Sequence, residues 1–461
     1  HSLIAKANSV LTYRTDVSVR PGQLVLITLR RRTIPGIVIN CNVTAGTVNK
    51  IIPVKKVANL VVPAPYLQFM RLVGDYYCVG LAQVFTQLMS NLNSRYVTTE
   101  PTTTGSADQV RTELFITPAL HTPSVLALRN RFRPAILPTA IAQRDLWLEA
   151  LKGSGGSLYG QLSSFGLPFS HLDRIIIDQP FTLSYQSRRT PGFSAPVLGS
   201  LMARAYGCPL VIRSILPLKL LARRLPLPEN TLTQAPTLNK ITVRVRPTGR
   251  YLNDDLVADM MERQRTKQRL LVIDNRPNKI EETALALAKR LPQPVPVHTM
   301  AALYQTITTD QIFILNVDRL WSSNSPLSML AAIEGIGVLA SRAPVLAQSF
   351  DQNSLFNRLL TSQLTESALN QAQLPLFDRR IITLAPRKKP SEKSRQETLF
   401  QLTTAFGTVS PLETPTKTGF WLIAPKKLSA KQQQLLLTLT GNWRLMTDAL
   451  SFPLAPETKN D

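Results

Sequence analysis

Cysteine and histidine are the scarcest chemistry-bearing residues here, three and four among 461. Cys41, Cys78 and Cys208 stand far apart, and no CxxC or Cys/His pair occurs at ligand spacing, which excludes structural zinc and a disulfide framework. Each cysteine is expected to be a small buried apolar residue. His121 and His171 sit beside Pro or Leu, as packing or capping residues do, and nothing is arranged as a Ser/His/Asp or Cys/His nucleophile. No apolar run approaches the ~18 residues that a membrane span needs, so no membrane partner is expected. The opening HSLIAKANSVLTYR lacks the basic segment and apolar core of an export signal, and His1 in place of Met points to a trimmed start; the expected compartment is the cytoplasm. Acidic residues are also few, 29 Asp and Glu against 53 Lys and Arg, for a formal charge of +24. An excess of that size favours a polyanionic partner by releasing its counterions, and nucleic acid is the first expectation.

What is present divides the chain into blocks. From Ser9 to about Ile52, the β-like runs QLVLITL, IPGIVIN and NKIIPV are separated by PG and AG turns, which predicts a small β-rich domain. Apolar residues then recur at helical spacing from Tyr66, with a break near Gly80. The polar stretch TTEPTTTGSADQ, Thr98 to Gln109, is the clearest connector. Beyond it, ELFITP, RPAILP, RIIID and PLVIRS alternate with helical stretches, and RLLVIDN and QIFILNVD repeat the scheme, predicting two parallel α/β units in tandem. The expected domains are 1–97 (β-rich), 98–111 (linker), 112–235 and 236–362 (α/β), and 363–461 (mixed α+β). Within the last, RKKPSEKSR, Arg387 to Arg395, reads as a solvated loop.

The stretch LDRIIIDQPFTLSYQS, Leu172 to Ser187, leaves two readings open. A buried strand ending in an acid is how the second nucleotide-binding motif of a helicase begins, yet Asp178 is followed by Gln179, Pro180 and Phe181. It is either an ordinary strand end, with Asp178 capping the turn, or a helicase site without its chemistry.

The order of features resembles the primosomal protein N′ (PriA) replication-restart helicase family. LTY, PGQLVLITLRRRTIPGIV, NKIIPVKK and LVGDYYCVGLAQVF are similar to the landmarks of its N-terminal domain. PTAIAQ stands where the family has PEIxLTxQ, SSFGLPFSHLDRIIIDQPFTLSYQ where it has its DEEH segment, and SILP, Ser214 to Pro217, where it has SATP. LLVIDNR and VLAQSFDQNSLFNRLL parallel later segments, so the resemblance covers most of the chain. It implies two RecA-like lobes of the superfamily 2 helicase type behind a small domain that holds the 3′ end of a nascent strand. By position, that domain's pocket falls on Leu11, Thr12, Arg30 and Lys50; Arg31 and Arg32 would add phosphate contacts. Thr12 replaces the family's acid and Arg30 its glycine, which weakens 3′-end specificity more than affinity.

The departures bear on the chemistry. No GK dipeptide occurs, and no lysine lies between Lys56 and Lys152, so a phosphate-binding loop has no lysine to offer. Gly155 and Gly160 have the spacing, but Gln161 and Leu162 stand where lysine and hydroxyl belong, and the segment reads as a flexible turn. The DEEH box keeps only Asp178, a remnant, and between Leu320 and Asn357 only Arg342 is basic, so the arginine motif is missing as well. The eight-cysteine zinc insertion and the room for a winged helix are lacking. The expected protein binds forked or branched DNA, in company with other primosome or replication-restart proteins, and has no catalytic residue, metal or cofactor. Two alternatives stand beside it: an ATP- and Mg-dependent 3′–5′ DNA helicase with divergent motifs, and a basic scaffold for DNA or RNA. Further basic strips include Arg244 and Arg246 on one face of a strand, MERQRTKQR, and Lys426 and Lys427. Aromatics rarely interleave them, which favours phosphate contact over base stacking.

Overall fold

The computed structural model describes residues 2–5, 10–29, 31–41, 52–89, 111–118, 131–134, 140–153, 156–182, 185, 192–216, 218, 221–222, 225–235, 239–245, 252–300, 307–317, 326–349, 379–387, 390–407, 409–414, 417–425, 428–440 and 442–447. Strands β1 (Ser2–Ala5), β2 (Val10–Arg14), β3 (Gln23–Leu29), β4 (Arg32–Asn40) and β5 (Ile52–Val61) close into a barrel in the order β1-β2-β5-β3-β4. Both faces of β3 are buried. Val25 and Ile27 pack with Tyr13 and Val38, whereas Leu24 and Leu26 turn to the main core of the molecule. Period-two alternation therefore serves two apolar layers here, which is why QLVLITL is apolar nearly throughout. The barrel extends beyond the predicted limits, from Ser2 to Val61.

Helix α1 (Ala64–Tyr77) starts behind Pro63 and ends where Cys78 turns left-handed (φ 52°), and α2 (Leu81–Leu88) follows Gly80, so the predicted break is observed. These helices dock on the next unit. The buried Tyr66 hydroxyl donates to the Phe165 carbonyl at 2.8 Å, and the Ser194 N–H donates to the Tyr77 hydroxyl at 2.9 Å. A Cβ on Gly166 would stand 2.1 Å from the Leu88 carbonyl, so only glycine permits this approach. Tyr76 and Tyr77 are buried, their rings edge-on with centroids 5.0 Å apart.

The first α/β unit comprises β6 (Glu113–Ile116), β7 (Arg133–Pro134), α3 (Ala140–Lys152), β8 (Leu158–Gly160), β9 (Arg174–Asp178), α4 (Ala195–Tyr206), β10 (Leu210–Arg213) and β11 (Thr231–Gln234). Its sheet is parallel throughout, in the order β11-β10-β9-β6-β8-β7. Covered on both faces, the central strands continue from a charged first residue into apolar runs, LFI after Glu113 and III after Arg174. Gly160, expected in a flexible turn, is instead the buried last residue of β8, because Leu158–Gly160 pairs in register with Leu114–Ile116; Gly155 lies outside the described residues.

The second unit runs through β12 (Ile241–Val245), α5 (Asp254–Arg265), β13 (Leu270–Ile273), α6 (Ile280–Ala288), β14 (Val297–His298), β15 (Gln311–Ile314), α7 (Pro326–Ala340) and β16 (Val345–Ser349). It too is parallel, in the order β12-β16-β15-β13-β14. The C-terminal unit is an antiparallel sheet, β18-β19-β17-β20, built from β17 (Arg379–Pro386), β18 (Val409–Thr414), β19 (Lys417–Pro425) and β20 (Trp443–Thr447). It is accompanied by α8 (Glu392–Phe406) and α9 (Ala430–Leu439). The tract from Arg387 to Arg395 is not simply a loop. The Ser391 hydroxyl accepts the Ser394 N–H, and the helix begins at Glu392, an acid at the favourable end of the dipole. One continuous apolar core joins the barrel, α1, α2 and both parallel units, including Leu24, Phe69, Ile177, Leu198, Ile314 and Ile333. Among the described residues no helix is long and apolar enough to cross a membrane.

Candidate nucleic-acid interface and the contact between the two parallel units

Register brings several of the predicted barrel residues near one another. Tyr13 pairs with Ile52, and two residues along β5 Val54 pairs with Ile27, so the end of β2 lies two strands, ~10 Å, from the end of β3. Leu29 pairs with Arg32, and Arg31 takes a left-handed conformation (φ 65°) at the turn. Arg31 and Arg32 are both exposed on this hairpin. Leu11 and Thr12 lie in β2, opposite Leu3 and Ser2. Arg30 and Lys50 lie outside the described residues.

Among the described residues of the other basic strips, Arg244, Arg265 and Arg269 are matched by acids. Arg244, exposed on β12, is ion-paired with Asp259; Arg246, Lys426 and Lys427 lie outside the described residues. Arg269 donates to Asp310 through Nε at 3.1 Å and Nη2 at 2.9 Å, and this holds the Asp310 carboxyl down at about 2. Arg265 pairs with Glu262 and Arg290 with Asp254. Charge of both signs on α5 and its neighbours leaves less positive potential there than the sequence strips imply.

Asp178 ends β9 and is 5% exposed. Arg213 Nε lies 4.0 Å from its Oδ1, and its carbonyl accepts the Tyr185 hydroxyl at 2.5 Å. The following turn is closed by the next residue: Gln179 is left-handed (φ 53°), and its carbonyl accepts both the Thr182 N–H and the Thr182 hydroxyl. His171 is within 3.3 Å of Thr112 Oγ1 through Nε2 and of Ser170 Oγ through Nδ1, a local bonding role. Of the three cysteines, Cys78 and Cys208 are buried as expected, but Cys41 is half-buried, its thiol donating to the Val19 carbonyl.

Sequence reasoning missed Glu334. This residue of α7, from the second unit, is 1% exposed and accepts a hydrogen bond from the Ser214 hydroxyl, which directly follows β10 of the first. Ser214 Oγ also accepts the Leu216 N–H at 2.9 Å. Burial pushes the Glu334 carboxyl up to about 8, the Ser214 bond opposing and the Asp178 charge adding to the rise. One turn along the helix, a Cβ on Gly337 would meet Ile215 Cδ1 at 2.3 Å and Cγ2 at 2.7 Å, so α7 lies tightly against this segment. The only sign of this in the sequence was one acid inside the apolar run AAIEGIGVLA. Helix α7 thus lies against the segment that follows the carboxyl end of β10, at the end of the sheet where open α/β folds usually receive ligands. No curated protein matches the chain. Residues 3–90, which hold the barrel and its two helices, match the family model for the PriA 3′DNA-binding domain (3′BD).

Proposed function

We propose that the protein is a PriA-like replication-restart factor that binds forked or branched DNA and holds a helicase-like core that does not hydrolyse ATP. The match over residues 3–90 supports the DNA-binding part, and the charge of +24 supplies the affinity for phosphate. On this reading Thr12 and Lys50 meet the sugar and phosphate of a strand end, while Arg30, Arg31 and Arg32 grip the backbone. The two parallel units are degenerate RecA-like lobes, and their joined surface is a platform for other primosome proteins.

The observation that carries the silent core is the burial of Glu334 and Gly337 against Ser214 and Ile215, beside Asp178. A nucleotide between lobes needs an open crevice lined with positive charge. On this reading α7, packed against Ser214 and Ile215, takes the place of such a crevice and brings a carboxyl group to it. The sequence adds that a phosphate-loop lysine and an arginine motif are lacking. DNA-stimulated ATP hydrolysis by the purified protein tests this half; turnover at the rate of a working helicase, lost in Asp178→Asn, overturns it. Competition among forks, linear duplexes and structured RNA tests the other half. Tightest binding to forks is expected, and equal affinity for all three would favour a general basic scaffold.

A further inference from the structure

At the opposite end of the first parallel sheet, where its strands begin, a buried acid gathers arginines. Glu113, the first residue of β6, is fully buried. Arg111 Nη2 lies 3.0 Å from its Oε1, Arg131 Nη2 donates to its Oε2 at 2.9 Å, and Arg174 is ion-paired with Oε1 as well. Topology brings them together: Arg174 begins β9 and pairs in register with Glu113, Arg111 leads into β6, and Arg131 leads into β7 two strands away. The Arg131 guanidinium also lies 5.5 Å over the Phe132 ring.

One guanidinium neutralises one carboxylate, so the second and third are not needed to bury Glu113. Arg111 and Arg131 nonetheless keep 63% and 54% of their side chains in solvent. Each spends one face of its fork on Glu113 and turns the remaining N–H groups outward, held in place and therefore cheap to order further. Asp173, next to Arg174 in the chain, turns its carboxylate to the Thr112 N–H at 2.6 Å. With it the five charged groups sum to +1, negative on the inside and positive at the rim.

We propose that Arg111, Arg131 and Arg174, organised on Glu113, form a second phosphodiester-binding site for nucleic acid, on the sheet end remote from the contact between the two parallel units. The site takes backbone phosphate without reading bases. Held guanidinium forks suit paired non-bridging oxygens, and no exposed aromatic side chain is placed there among the described residues. This rests on the DNA-binding reading of the N-terminal domain and extends a bound duplex or branch arm across the first parallel unit.

The test compares wild type with Arg111→Gln/Arg131→Gln in the full chain, and with Lys289→Gln/Lys431→Gln as a charge-matched control at exposed positions elsewhere, just past α6 and within α9. Arg174 still neutralises Glu113 in the first variant, so thermal melting is expected to stay near wild type. Fork binding is measured by fluorescence anisotropy over a salt series. The arginine variant is expected to lose about 10- to 100-fold in affinity at low salt, and its log–log salt slope to become shallower by roughly 2. The control is expected to change little. An unchanged affinity and slope in the arginine variant, with wild type binding DNA, overturns this site alone; a wild type that fails to bind DNA overturns both readings. Inorganic phosphate at constant ionic strength provides the remaining arm. If it binds the wild type through these arginines while fork affinity is the same in both proteins, the site serves a free anion and the proposal fails.

Discussion

Replacing Glu334 by glutamine should stabilise the protein, and by an amount that depends on pH. The glutamate carboxyl ionises at 4.5 in the open chain and at about 8 when buried beside Ser214 and Asp178. Below pH 4.5 both states hold the proton, and the group contributes nothing to the pH dependence. Above it the unfolded chain releases the proton while the folded one retains it. Stability therefore falls by roughly 1.4 kcal/mol per pH unit until the folded carboxyl titrates as well, about 5 kcal/mol across the whole window. Glutamine has nearly the same shape and still offers an oxygen to the Ser214 hydroxyl, but it has no proton to lose. Its advantage over wild type should be under about 1 kcal/mol at pH 5 and about 4 kcal/mol at pH 7.5. For 461 residues unfolding as one unit, the entropy of melting is about 1 kcal/mol per degree, so the two melting temperatures should separate by roughly 4 °C at pH 7.5. Differential scanning calorimetry of both proteins from pH 5 to 8.5 measures this. A separation that stays constant over that range would mean that Glu334 is charged and hydrated, and the dry contact between the two parallel units would have to be abandoned.

Three other perturbations probe the packing. Tyr66→Phe removes the buried hydrogen bond to the Phe165 carbonyl and should cost about 1–2 kcal/mol in chemical denaturation, whereas no loss would mean that the carbonyl finds another donor. Gly166→Ala forces a methyl group against the Leu88 carbonyl, a backbone atom that cannot rotate away; a destabilisation of about 1–3 kcal/mol, seen as a lower melting temperature, is expected. Thiol labelling in native buffer should modify Cys41 and spare Cys208, whose burial pushes its thiol up to about 12, and Cys78, which is also buried; all three should react in denaturant, as mass spectrometry can read. Fast native labelling of Cys208 would contradict its place behind α4.

Much of the architecture was legible because each periodic signal was backed by local chemistry. QLVLITL, RIIID, RLLVI and QIFIL are strands because β-branched and apolar residues run together without helix-capping signals, and the break at Cys78–Gly80 follows from a glycine placed between two helical repeats. The limits of the barrel were less visible, since its first and last strands pair with distant partners, Ser2 with Asn40 and Val61 with Gln23. Gly160 was misread because glycine spacing alone does not distinguish a turn from a short strand held by its neighbour Ile116. The Arg387–Arg395 tract was misread because its charge outweighed a single capping serine.

The order of residues along the chain was enough for the succession of a β-rich domain and two parallel α/β units, the strong positive charge and the absence of any GK dipeptide. These depend on composition and on neighbours along the chain. It took the folded chain to pair Arg244 with Asp259, to gather three arginines on Glu113 and to close Glu334 against Ser214. Each of those joins residues that the fold, and not the chain order, makes adjacent, and the energy of a charge is set by what surrounds it in space.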